Sequence, residues 1–160
     1  MAEDLSIPQG APREDLYKAL IPQMAALIEG EADFVANVAN LMAALKEIPG
    51  FLWVGCYFVK NNELVLGPFQ GPVACTRIQK GKGVCGTAWA EKQTLIVPDV
   101  DQFPGHIACS SLSRSEIVVP IVKYNEVLGV LDVDSAELDS FSEVDAINLQ
   151  IVAQWISEMH

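Results

Sequence analysis

Glu116-Ile117-Val118-Val119-Pro120-Ile121-Val122-Lys123, Tyr124-Asn125-Glu126 and Val127-Leu128-Gly129-Val130-Leu131-Asp132-Val133-Asp134 follow one another without a break. The outer two read as β-strands rich in β-branched residues, and the middle one as the turn between them. Strand side chains alternate between faces, so Asp132 and Asp134 share one side of the predicted sheet. A second hairpin is written upstream, where the strands 51–60 and 63–67 flank Asn61-Asn62, a pair that tolerates positive φ. Trp53 and Tyr57 stand four apart on its first strand and also share a face. Thr94 to Val97 adds a short strand.

Helical patterns surround these strands. Glu14 to Glu29 has helical composition interrupted by Pro22, which predicts a kink or a second piece beginning there. Ala32 to Ile48 is expected to be a helix with Val35, Val38, Leu41, Met42 and Leu45 inward, ended by Pro49-Gly50. A short helix is expected over 84–92. The last opens at Ser142, with Asp145 placed for a capping box and Val144, Ile147, Ile151, Val152, Trp155 and Ile156 inward. Residues 1–12 are expected to form a flexible arm and 13–160 a single domain. The predicted class is α+β: a central antiparallel sheet with helices on one face and long loops on the other.

At 160 residues the chain has the length of one ordinary domain, which buries roughly 70% of its unfolded surface. Twenty-one acidic residues against 10 basic ones argue against nucleic acid or anionic membrane as a partner. Met1-Ala2-Glu3-Asp4 does not open like a signal peptide, and no apolar run approaches the roughly 20 residues of a membrane span. A cytoplasmic location is therefore expected, where thiols are more often catalytic or metal-binding than structural.

Three of the four cysteines lie in Val73-Ala74-Cys75-Thr76-Arg77, Gly83-Val84-Cys85-Gly86-Thr87 and Gly105-His106-Ile107-Ala108-Cys109-Ser110-Ser111. Their small and glycine-containing surroundings predict accessible loop positions, unlike Cys56 inside the apolar run 51–58. The close C-x-x-C pairs of a structural zinc site are missing, so no metal is expected, and no cofactor is assigned. His106, three residues before Cys109, could serve a Cys-His hydrolase, although a loop-stabilising role fits it better. Thiol redox chemistry is the third reading: one cysteine attacks an oxidised substrate and a second condenses with the resulting sulfenic acid. Attacker and resolver can be distant in sequence if their loops meet, and the three cysteines supply one candidate attacker and two candidate resolvers.

Gly81-Lys82-Gly83-Val84-Cys85-Gly86-Thr87-Ala88 resembles the free methionine-(R)-sulfoxide reductases, which are single-domain GAF proteins. Val97-Pro98-Asp99-Val100, Phe103-Pro104-Gly105-His106-Ile107-Ala108-Cys109, Ser113-Arg114-Ser115-Glu116-Ile117-Val118-Val119-Pro120 and Gly129-Val130-Leu131-Asp132-Val133-Asp134-Ser135 fit the same family. Ser110-Ser111-Leu112 departs from its acidic-containing version. The resemblance implies a GAF-like fold and thioredoxin-dependent reduction of free L-methionine (R)-sulfoxide. Cys109 would attack, Cys75 would resolve through a disulfide, and Cys85 would be an auxiliary or second resolver. Trp53, Tyr57, Glu116, Asp132 and Asp134 would line the substrate pocket.

Physical chemistry points the same way for the pocket. Carboxylates beside apolar strand residues are costly unless paired, and the ammonium of a free amino acid pairs with them. The same carboxylates disfavour a thiolate at Cys109. Arg114, the substrate ammonium or a protonated Glu116 acting on the sulfoxide oxygen are the alternatives that relieve this. A non-catalytic GAF ligand-binding or redox-sensing module is the rival function, and exposed long helices are compatible with a homodimer.

Overall fold

Both hairpins close through two residues in the left-handed region: Asn61 (φ 50°) with Asn62 (φ 63°), and Tyr124 (φ 51°) with Asn125 (φ 63°). Asn tolerates that region, and such turns match the twist of the flanking strands. The second turn is thus one residue shorter than the sequence suggests, because Glu126 already pairs with Lys123.

The computed structural model describes residues 4–160. Met1, Ala2 and Glu3 of the expected arm lie outside the described residues. In chain order come α1 (Arg13–Ile28), α2 (Phe34–Lys46), β1 (Trp53–Lys60), β2 (Glu63–Gln70) and β3 (Arg77–Ile78). They are followed by α3 (Gly83–Glu91), β4 (Leu95–Val97), a single 3₁₀ turn at Val100–Gln102, β5 (Ser115–Lys123), β6 (Glu126–Ser135) and α4 (Glu143–Met159). The sheet runs β3-β2-β1-β6-β5-β4, with each neighbouring pair antiparallel. β3 is absent from the sequence reading. Two residues carry no periodicity, and Glu63 pins this strand instead, contacting Arg77 at 2.6 Å and Gln79 at 2.8 Å.

One sheet face turns Val54, Cys56, Ile117, Val119, Leu131 and Val133 toward Leu20, Met24, Leu41, Leu45, Leu149 and Val152 of α1, α2 and α4. The opposite face carries Trp53, Tyr57, Val118 and Val130 against Val84, Cys85 and Trp89 of α3. The expected layering holds, with the addition that α3 belongs to the loop face and gives it a second, smaller core.

Pro22 neither splits nor ends α1. It sits on an exposed position inside one helix, where its ring meets solvent rather than the sheet. The apolar faces also differ from the periodic reading. Val35 is exposed, as are Ile147 and Ile151, while Ala146, Leu149 and Ala153 are buried in their place. α4 is rotated toward its small residues because Asp145 must face inward. Asp145 Oδ1 accepts from Arg13 at 2.6 Å and from the Tyr17 hydroxyl at 2.7 Å, and its Oδ2 caps Ser142 N at 2.9 Å. This buried hub ties α1 to α4, and removing one member of such a pair costs about 3–5 kcal/mol. Ahead of α1, Leu5 and Ile7 pack on the core and Ser6 exchanges hydrogen bonds with Gln23. No helix among the described residues is long and apolar enough to cross a membrane.

Candidate active site

Strand register brings the polar site residues together. Asp134 lies between Trp53 of β1 and Glu116 of β5, and Asp132 lies between Gly55 and Val118. Period two therefore points Trp53, Tyr57, Glu116, Asp132 and Asp134 to the face covered by α3 and the cysteine loops. All five line one cleft, together with Cys85, His106, Cys109, Ser110 and Ser113.

The carboxyls are withdrawn from water. Glu116 is 6% exposed and Asp132 5%. Burial, then the neighbouring Asp132 and Asp134, pushes the Glu116 carboxyl well above the usual carboxylate range. Asp134 is raised by burial and by Asp132, against a 2.7 Å hydrogen bond from the Ser113 hydroxyl. Burial also raises Asp132, while the adjacent Glu116 and Cys85 act against that rise. Asp132 Oδ1 is buried without a hydrogen-bond partner, a state that costs about 1–3 kcal/mol until something polar meets it.

Cys75 and Cys109 are joined by a disulfide, with Cα atoms 5.3 Å apart. This separation is inside the ordinary range for bridged cysteines. Both residues are half-buried on loops, as the sequence suggests. Cys109 lines the cleft and Cys75 does not. Two hydrogen bonds hold the loop that bears Cys75: Trp53 Nε1 donates to Pro72 O at 3.0 Å, and the Tyr57 hydroxyl donates to Cys75 O at 3.0 Å. Trp53 also stacks on Phe69 at 5.3 Å and on Tyr57 at 5.9 Å, fixing the aromatic wall.

Cys85 corrects the sequence reading. It is a buried residue in the first turn of α3, not an accessible loop thiol. A helix N-terminus ordinarily lowers a thiol pKa. Here burial, then Asp132, Glu116 and Asp134, raises it well above the usual value. Gly86 lets the chain fold this tightly, because a Cβ there would run into the Gln79 carbonyl. Cys56, the other free cysteine among the described residues, lies on the opposite sheet face against Met42 Sδ at 3.8 Å. Arg114 is exposed and lines no part of the cleft, so it does not offset the carboxylates. His106 does line the cleft, and burial lowers its pKa, with Asp101 opposing. Ser113 was missed as a partner of Asp134. Its place three residues before Glu116 in sequence was the available signal.

A sequence profile of the GAF domain matches residues 31–159. The GAF domain-containing protein A of Dictyostelium discoideum is 62% identical over 146 residues, covering 91% of this chain and 92% of that protein. The free methionine-R-sulfoxide reductase of Escherichia coli is 46% identical over 144 residues, covering 89% of this chain and 87% of that protein. Among solved structures, the free methionine-R-sulfoxide reductase of Neisseria meningitidis in complex with its substrate superimposes with a TM-score of 0.92. It is 48% identical, and the match covers 98% of this chain and 95% of that one. With a bridged cysteine pair beside a buried acidic cleft, and this similarity over nearly its whole length, the chain belongs to the free methionine-R-sulfoxide reductases of the GAF-domain family.

Proposed function

We infer that the protein reduces free methionine (R)-sulfoxide to methionine through a Cys75–Cys109 disulfide. The observation that carries this reading is the bridge itself, closed beside a cleft lined by three carboxyl groups. Because Cys109 lines the cleft and Cys75 does not, Cys109 is the attacker and Cys75 the resolver.

The Cys109 sulfur attacks the sulfoxide while the sulfoxide oxygen is protonated. The oxygen passes to Cys109 as a sulfenic acid, and the thioether leaves as methionine. The Cys75 thiol then displaces that oxygen as water and closes the disulfide. A dithiol partner, thioredoxin, returns both cysteines to thiols. In sum, sulfoxide and dithiol give thioether, disulfide and water. Glu116 is the proton donor, since burial and its acidic neighbours favour its neutral form. Cys85 is held protonated among the same carboxyls, which leaves it a secondary resolver.

Asp132 and Asp134 hold the substrate ammonium, and Trp53 and Tyr57 pack on the thioether stem. The orphan Asp132 Oδ1 supports this, because a cationic donor supplies the partner that the protein does not. A disulfide that is recycled suits the reducing cytoplasm. On the outer face of α4, Ile147 (54% exposed) and Ile151 (38% exposed) beside Trp155 support a homodimer.

Thioredoxin-coupled NADPH oxidation tests the activity. Turnover is expected with the free R epimer and not with the S epimer. No turnover with either, in protein whose bridge thioredoxin does reduce, replaces the enzyme with a redox-sensing module.

A further inference from the structure

We propose that the oxidised protein binds a thiophilic divalent cation, of which zinc is the representative, between Cys85, Glu116 and Asp132. The Cys85 Sγ and one oxygen from each carboxyl all lie within 4.8 Å of one another, and all three residues are buried. Tetrahedral zinc, with Zn–S about 2.3 Å and Zn–O about 2.1 Å, places such atoms roughly 3.4–3.6 Å apart, so a closure of about 1 Å by side-chain rotation completes the set. Three separate elements supply the ligands: α3, β5 and β6. Close cysteine pairs in sequence are therefore not required, which is why the spacing gave no signal.

The independent observation is Asp132. Its side chain is buried at 5% exposure, lies in this cluster, and leaves Oδ1 without any hydrogen-bond partner. A cation beside Asp132, Glu116 and Cys85 offers that carboxylate the partner its Oδ1 lacks. Thiolate with two carboxylates selects zinc over magnesium, whose hard, octahedral preference is for oxygen alone. On binding, the protons of Cys85 and Glu116 leave to solvent while S–Zn and O–Zn bonds form, with no change of oxidation state. The fourth position faces the cleft and takes a water, as in three-ligand zinc sites. Cation and substrate ammonium would both draw on Asp132, a consequence that rests on the reading above. The cation site itself does not rest on it.

The test uses protein with the Cys75–Cys109 bridge closed, so that those two thiols cannot bind metal adventitiously. Equilibrium dialysis against zinc, without substrate, should give about one ion per chain. Cobalt should add a thiolate-to-metal charge-transfer band. Cys85→Ser should lose the band, and Cys85→Ser and near-isosteric Asp132→Asn should each weaken zinc binding at least about tenfold. Magnesium in large excess should not displace the zinc. Wild-type protein that takes up no zinc, or both folded variants binding it as wild type does, would overturn the proposal.

Discussion

The Tyr57 hydroxyl donates a hydrogen bond to the backbone carbonyl of Cys75 across 3.0 Å. One side chain of the cleft's aromatic wall therefore also anchors the loop that closes the disulfide. Trp53 does the same four residues earlier on the same strand face, through Pro72. The aromatic wall and the placement of Cys75 are one mechanical unit.

Tyr57→Phe keeps the ring and removes the anchor. A hydrogen bond of this kind is worth about 1 kcal/mol, so closure of the Cys75–Cys109 bridge should slow roughly fivefold. Release of the first methionine should change less. Quenched-flow separation of methionine release from loss of free thiol measures both. Equal slowing of the two steps would place Tyr57 at the sulfoxide rather than behind the resolving loop.

Much of this site was legible in the sequence because strand period is rigid. Asp132, Asp134, Trp53 and Tyr57 reach the predicted face for the simple reason that alternation cannot drift over a few residues. Helix faces were less legible. Ile147 and Ile151 look like core by hydrophobicity, but Asp145 turns α4 by its bonds to Arg13 and Tyr17, contacts that are distant in sequence. Cys85 was misplaced for a related reason. Glycine on both sides suggests a loop, whereas Gly86 is needed for close packing of α3 on the Gln79 carbonyl. The resolver could not be chosen from spacing, since loop closure between Cys75 and Cys109 is set by tertiary contacts.

Glu116 supplies a pH signature. Its raised pKa keeps it protonated at and above ordinary carboxylate titration, so kcat should be sustained there and fall as pH rises through the folded-state pKa. Glu116→Gln should lose about 10²–10⁴ in kcat and abolish that alkaline limb. A Glu116→Gln profile that retains the limb would assign the proton to another group.

The buried carboxyls should also set a stability gradient. Glu116, Asp132 and Asp134 have folded pKa values above their unfolded ones, so the folded state binds more protons than the unfolded chain above about pH 4. Their contribution to stability is full below the unfolded pKa and is lost as pH rises through the folded pKa. Asp132→Asn removes one such group. Its Tm relative to wild type should increase as pH rises from the unfolded carboxylate pKa of about 4 through the folded-state pKa, in substrate-free protein. A pH-independent difference would show that Asp132 is not buried at a cost.

Selectivity follows from the same groups. Acetylating the substrate amine removes a cation and leaves the carboxylates unpaired. N-acetyl-methionine (R)-sulfoxide should lose at least about a hundredfold in kcat/KM, roughly 2.7 kcal/mol. Asp134→Asn should weaken the free substrate strongly and narrow the gap. Comparable wild-type rates on both substrates would mean that these carboxylates do not read the ammonium.

The chemistry itself is tested most directly by a single turnover. Fully reduced protein is mixed with excess free methionine (R)-sulfoxide and no reductant, and the released methionine and the bridged peptides are measured together. The account predicts about one methionine per chain with a Cys75–Cys109 bridge, the same methionine without that bridge in Cys75→Ser, and none in Cys109→Ser. Methionine release at the wild-type level by Cys109→Ser would contradict it.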